Sequence, residues 1–224
     1  MRPYDLHIRF NPHQNEEEFR RIKELAIKFG FKGIAIEAPR KGEPEESSSS
    51  LEVFHRMTLF PRSAARLRAR VNKHAPQTDL LVIQCRSKSL WHVAAEIPSI
   101  HLVMVNDVED YLTIDSKAAR IMANHNKPVE LCLHNLLKLN GSLRSRLMRV
   151  MQTAINHLER AHCPFILTSG ASHPFELRAP KELEALGYLA SVSEESAKIA
   201  MHETPSTLIP LIRKTRKAKA GRDP

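Results

Sequence analysis

Seven short apolar runs, separated by stretches of helical spacing or by turn signals, set the terms for any fold of this chain. They fall at residues 5–10 (DLHIRF), 33–38 (GIAIEA), 51–60, 79–85 (DLLVIQC), 100–106, 128–134 (PVELCLH) and 164–169 (PFILTS), the run at 51–60 having a mixed pattern. Most are continuous rather than alternating, as strands buried on both faces of a parallel sheet are. Asn15, with Glu18 three residues on, starts a helix that sets Phe19, Ile22, Leu25, Ala26 and Phe29 on one face before Gly30 ends it. Further helices are expected at 63–74, 89–97, 115–124, 181–189 and from 193. Ser142 is expected to cap a long helix with Leu143, Leu147, Val150, Met151, Ala154 and Leu158 on its buried face.

Strand–helix alternation means α/β with a parallel sheet. A doubly wound sheet would carry a glycine-rich phosphate loop, but the chain has 7 glycines and neither a G-x-G-x-x-G nor a P-loop pattern. The expected fold is therefore a single-domain, TIM-like (β/α) barrel over residues 1–212. No eighth strand is legible and 224 residues is short for this fold, so the barrel is expected to be irregular or to have fewer than eight clear strands. Residues 39–50 (PRKGEPEESSSS) read as a mobile polar loop, and 213–224 as a flexible basic tail.

Apolar residues at 42% and charged residues at 26% are ordinary for a globular chain and exclude a largely disordered one. No apolar stretch approaches the length of a membrane span, and the N-terminus lacks a signal-peptide core, so a soluble, cytoplasmic protein is expected. The charge is more telling. Lys and Arg number 34 against 25 Asp and Glu, a formal net charge of +9, which favours a polyanionic partner. The excess is uneven: there is no acid between Glu52 and Asp79, none between Glu130 and Glu159, and six basic residues between Arg213 and Arg222. Acid-free runs of this kind point to nucleic acid, since a merely solvated face mixes both signs. Cys85, Cys132 and Cys163 form no C-x-x-C pair and read as small packed hydrophobes.

In a parallel barrel, function collects at the C-terminal ends of the strands, which gathers His7, Glu37, His134 and the loop 169–178 near one rim. His7, Glu37, His55 and His134 make an incomplete set for a metal, because Asp5 stands where an H-x-H pair would place its first histidine. No nucleophile elbow surrounds Ser169. The small residues Ser169, Gly170 and Ala171 suit the close approach of a phosphate or a partner chain. Arg178 suits either a phosphate contact or a salt bridge with Glu176 or Glu182.

Residues 165–200 (FILTSGASHPFELRAPKELEALGYLASVSEESAKIA) resemble the TIM-barrel protein subunit family of ribonuclease P. The resemblance rests on the Ser169-Gly170-Ala171 step after the seventh strand, the E-L-R-x-P motif at Glu176 to Pro180, and the leucine-rich helix Leu183 to Leu189. It extends back through PVELCLH and the long helix, and more weakly to DLLVIQCRSKSLWHVAAE and DLHIRF. It implies a non-catalytic subunit of the ribonucleoprotein that removes the 5′ leader from precursor tRNA. Catalysis and Mg²⁺ would belong to the RNA, and the partners would be that RNA, precursor tRNA, a small ferredoxin-like subunit and other ribonuclease P proteins. No cofactor is expected on the protein itself. The family also resembles barrel phosphoesterases of the polymerase-and-histidinol-phosphatase type, which makes a metal-dependent phosphoesterase the alternative. The expected RNA contacts are Arg86, Lys88, Arg144, Arg146, Arg178 and Lys181; Arg178 alone comes from a family motif, the others from position and charge.

Overall fold

Each expected run becomes a strand. The structure, a computed structural model, describes residues 3–12, 15–38 and 50–220. Its strands are β1 (Tyr4–Ile8), β2 (Gly33–Glu37), β3 (Glu52–Leu59), β4 (Leu80–Gln84), β5 (Leu102–Val105), β6 (Val129–Cys132) and β7 (Phe165–Thr168). They form one parallel sheet in chain order, with Ile34 opposite Val53, Val82 opposite Leu102 and Leu131 opposite Leu167. Such neighbour-to-neighbour order with every strand parallel is that of a barrel, not of a doubly wound sheet. Residues 39–49 of the expected polar loop lie outside the described residues.

The outer layer is helical: α1 (Glu16–Lys28), α2 (Ala64–His74), α3 (Lys88–Glu96), α4 (Val108–Tyr111), α5 (Ser116–Asn124), α6 (His134–Lys138), α7 (Gly141–Arg160) and α8 (Pro180–Leu189). Asn15 caps α1, its side chain accepting from the Glu18 N–H at 3.1 Å. The long helix α7 starts at Gly141 with Asn140 as its cap residue, two residues before the expected cap Ser142. Its buried face is Leu147, Met151, Ala154, Ile155 and Leu158, whereas Leu143 is 58% exposed because the first turn stands clear of the core. The short helices α4 and α6 have too few residues for a helical period to show in the sequence.

Inside the sheet lies a second core of Tyr4, Leu6, Phe54, Val82, Leu102, Met104 and Ile166. No eighth strand joins β7 to β1 among the described residues; the two meet in a single bridge, Ile8 to Ala171. The chain continues instead through α9 (Glu194–Lys198), a wide π turn (Ile199–Glu203) and α10 (Thr204–Ala220). From α10, Leu208, Ile209 and Ile212 enter the interior core. The helix lies across the N-terminal mouth of the barrel. Arg213 grips Glu52 at the start of β3 (Nη2 to Oε1 2.6 Å, Nε to Oε2 3.1 Å), and Arg216 Nη1 donates to the Val53 carbonyl at 3.3 Å.

Helix continues past the boundary expected at residue 212, through Ala220, and Arg213 and Arg216 find a carboxylate and a carbonyl on the barrel. Residues 221–224 of the expected tail lie outside the described residues. If α10 acts as a stopper through apolar packing, Ile212→Ala should cost about 2–5 kcal/mol of stability in chemical denaturation. Arg213→Ala, which removes a partly exposed ion pair, should cost less than about 1 kcal/mol.

Candidate functional site

A polar cluster sits inside the barrel toward the C-terminal ends of the strands, and a bulge builds it. Asp5 pairs with Ile34 but Ile8 with Ile36, so β1 carries one extra residue between them. A bulge breaks the alternation of side chains, and here both Leu6 and His7 turn inward. His7 Nδ1 lies 2.7 Å from Glu130 Oε1, which also accepts from Thr168 Oγ1 at 2.8 Å. Glu130 Oε2 is 2.7 Å from Arg56 Nη1, an ion pair not aligned as a hydrogen bond. Arg56, fully buried, donates Nη1 to the Leu6 carbonyl (2.7 Å), Nε to Thr58 Oγ1 (3.1 Å) and Nη2 to Met104 Sδ (3.3 Å). Glu37 completes the group, its Oε1 3.7 Å from His7 Nε2 and 3.8 Å from Arg56 Nε.

The electrostatics of this cluster centre on the guanidinium. Burial raises the pKa of Glu130, but Arg56 and then His7 outweigh it and hold the carboxyl at about 2. Burial, reinforced by Arg56, lowers the pKa of His7, which favours its neutral form. Asp5 is pushed up to about 6 by burial, although its Oδ1 accepts from the backbone N–H groups of His7 (3.2 Å) and Ser169 (3.3 Å).

Part of this cluster has the spacing of a metal site. His7, Glu130 and Cys132 offer ligand atoms within 4.8 Å of one another. The chemistry is wrong for a divalent cation. Glu130 already faces Arg56, His7 and Thr168, and the Arg56 guanidinium beside it would repel a cation. The charge a metal would supply is supplied by Arg56. Of the four residues expected near a metal, His7 and Glu37 meet in the interior. His55 is next to the inward Arg56 on β3 and takes the other face of the pleat. His134 begins α6 and faces Glu176, with Nδ1 to Oε2 3.8 Å; burial and the charge of Arg9 lower its pKa to about 4.

The Ser169-Gly170-Ala171 step is buried and closes the barrel seam, which corrects its expected role as an approach for phosphate or partner. Gly170 N–H donates to the His7 carbonyl (3.1 Å), Arg9 N–H to the Ala171 carbonyl (2.8 Å) and Arg9 Nε to the Gly170 carbonyl (2.9 Å). Gly170 has φ +60°, and a Cβ there would lie 2.5 Å from Cys132 Sγ and 3.0 Å from His134 Cβ. The close approach the glycine permits is by the chain's own strands.

Outside, the basic residues fall into two groups. Arg86 pairs with Asp107 (3.0 Å) and Lys88 with Asp115 (2.8 Å), both on loops or helix starts beyond the strand ends. Arg144 instead donates to the Leu139 carbonyl (2.6 Å) behind α6, and Arg178 to the carbonyls of Phe175 (2.8 Å) and Leu177 (3.0 Å). Neither Glu176 nor Glu182 pairs with Arg178: Glu176 takes Lys138 and Ser172, and Glu182 accepts from the Ala179 N–H. Arg144, Arg146 and Arg178, with Arg62 and Arg66 beyond β3, have no carboxylate partner among the described residues. Lys181 departs from the others. It lines a groove of 580 Å³ with Pro3, Phe29 and Gly30, beside the start of β1 and the end of α1, away from the C-terminal rim. Arg9, Arg62, Arg66 and Lys138 were missed as rim residues; the acid-free runs containing three of them were the available signal.

These features define a barrel protein with its interior closed by an arginine–carboxylate network and its polar capacity turned outward, on a cationic rim. The family model for RNase P subunit p30 matches residues 2–217. Ribonuclease P protein component 3 of Methanosarcina barkeri is 23% identical over 211 residues, covering 92% of this chain and 88% of that one. Among solved structures, a chain of an archaeal ribonuclease P with mature tRNA superposes with a TM-score of 0.74 at 20% identity, over 93% of this chain and 92% of that chain. An amidohydrolase superposes with a TM-score of 0.62 at 12% identity, over 94% of this chain and 74% of that one, a likeness of fold alone. The chain belongs to the RNase P subunit p30 family.

Removing the interior cation should be costly. Arg56→Ala is expected to destabilise the barrel by about 3–5 kcal/mol in denaturant titration, because Glu130 is left buried and unpaired. Its carboxylate is held at about 2 against an ordinary 4.5, so its contribution is complete above pH 4.5 and is lost as pH falls through 2. Glu130→Gln should therefore lower stability at pH 7 and flatten the acid decline between pH 4.5 and 2, read from the denaturation midpoint. Mn²⁺ or Zn²⁺ should leave the melting temperature of the wild-type chain unchanged.

Proposed function

We propose that the chain serves ribonuclease P as its barrel subunit by binding and stabilising the catalytic RNA, together with a small ferredoxin-like partner protein, in the removal of the 5′ leader from precursor tRNA. The observation that carries this reading is the set of arginines with no carboxylate partner among the described residues, Arg62, Arg66, Arg144, Arg146 and Arg178, together with an interior already filled by its own ion pair. Guanidinium groups held by carbonyls keep their full charge for phosphate, whereas Arg86 and Lys88 must first leave Asp107 and Asp115. Folded RNA is read through shape and backbone, which needs few aromatic residues, and the chain has 5%.

Catalysis and Mg²⁺ stay with the RNA, and the protein holds no metal of its own. Its contribution is to neutralise crowded phosphates and so lower the Mg²⁺ the RNA requires. The matched chain comes from a ribonuclease P bound to mature tRNA, which supports RNA and tRNA as partners. No helix among the described residues is long and apolar enough to cross a membrane, in keeping with work in the cytoplasm.

The test is 5′ cleavage of precursor tRNA at low Mg²⁺ by the RNA subunit and its partner protein, with and without this chain, beside the chain alone with Mn²⁺. Stimulation in the assembled mixture only is the expected result; hydrolysis by the chain alone would overturn the reading. Arg178→Ala and Arg146→Ala should each weaken RNA binding and reduce the slope of log K against log salt by about 1. Both variants should keep the melting temperature of the wild-type chain.

A further inference from the structure

The large apolar side chain most exposed among the described residues is Phe175, at 81%, and nothing in the fold accounts for it. It lies on the 3₁₀ turn Pro174–Glu176 that follows β7, and its carbonyl accepts from Arg178, which has no carboxylate partner among the described residues. Its ring stacks on His173, with centroids 5.1 Å apart and planes 24° from parallel. His173 is itself held, its Nε2 3.4 Å from Glu18 Oε1 on α1.

The turn carrying this pair is tied down on every side. Ser172 donates its N–H (2.9 Å) and hydroxyl (2.8 Å) to Glu176 Oε2, and Lys138 pairs with Glu176 Oε1. The Glu176 N–H donates to the His173 carbonyl (2.9 Å), and Arg178 Nη1 to the Phe175 carbonyl (2.8 Å). An aromatic ring presented to solvent by a fixed turn has little left to lose in conformational freedom when something settles on it.

We propose that Phe175, backed by His173, is a stacking platform for one unpaired base of the RNA; this rests on the RNA-binding reading above. Two observations favour a base over an apolar protein surface. The chain neighbours of Phe175 within three residues are mostly polar or charged (Ser172, His173, Glu176, Arg178), so its own turn offers no run of apolar side chains for a protein surface to cover. Both nearby acids are engaged, Glu18 with His173 and Glu176 with Lys138 and Ser172, leaving the Arg178 charge for the backbone of the same nucleotide. A single platform of this sort suits a base splayed from a folded RNA, in contrast to the successive rings of a single-strand channel.

Equilibrium binding of the ribonuclease P RNA to wild type, Phe175→Ala, Phe175→Leu and Phe175→Trp, across a range of salt, tests this. Phe175→Ala should raise Kd about tenfold with the salt slope unchanged, since no charge is removed. Phe175→Trp should restore binding, Phe175→Leu should not, and all should melt as the wild type does. An alanine variant within twofold of wild type would overturn the platform, as would a leucine variant that binds fully. So would unchanged RNA affinity with loss of a partner protein from the assembled complex, which would make Phe175 a protein contact. If the wild type fails to bind the RNA at all, the proposed function falls and the platform with it. If Arg178→Ala weakens binding and Phe175→Ala does not, the platform alone falls.

Discussion

Arg56 and Glu130 oppose each other in the middle of a sheet whose edges barely meet. The arginine, on β3, reaches the Leu6 carbonyl on β1, Met104 on β5 and Glu130 on β6, and Glu130 in turn holds Thr168 on β7 and His7 on β1. One cation and one carboxylate thus tie together five of the seven strands. Desolvating two charges is expensive, and such a pair is retained only where its remaining hydrogen-bonding capacity is met. Here most of it is met by atoms from strands on both sides of the β1–β7 seam, where the ladder shrinks to one bridge, while Glu130 Oε2 has only the Arg56 charge. Removing either partner would leave the seam with Asp5, the Arg9 contacts and the glycine step as its cross-links.

The same pair divides the labour between inside and outside. A barrel interior with free carboxylates and imidazoles can gather a cation and activate water. With a guanidinium already among them, the chemistry of the strand ends passes to the loops beyond. There the distribution of partners matters more than the number of charges: arginines held by carbonyls remain electrostatically available, and those facing aspartates are largely compensated.

The strands were legible because buried parallel strands read as unbroken apolar runs, and β1 to β7 all fall within the expected runs but for Tyr4 at the start of β1. That the described residues hold no eighth strand was legible only as an absence, since α9, the π turn and α10 carry helical spacing whose destination the sequence does not name. Arg56 shows the limit of charge counting. It lies in an acid-free basic run that points to nucleic acid, yet it is buried, while Arg62 and Arg66 of the same run are exposed. A signal existed: Arg56 follows Phe54 by two in a strand, which puts both on one face, and Glu130 interrupts an apolar run where an ion must have a partner. The inward turn of His7 had no such signal, because it depends on a bulge set by the neighbouring strand. Lys181 was misplaced because a helix start after β7 does not reveal how far the chain has travelled from the rim.

The helix that stops the lower mouth of the barrel comes after every strand it covers. As the chain emerges from the ribosome, all seven strands are out before Leu208, Ile209 and Ile212 exist to enter between them. Until then Tyr4, Leu6 and Phe54 face an open end, and the contacts that will cover them span most of the chain length. Contacts of that range form slowly, and the waiting apolar interior is what chaperones recognise. The timetable of synthesis is therefore part of this fold: a nascent barrel stays unfinished, and exposed to surveillance, until its last helix arrives.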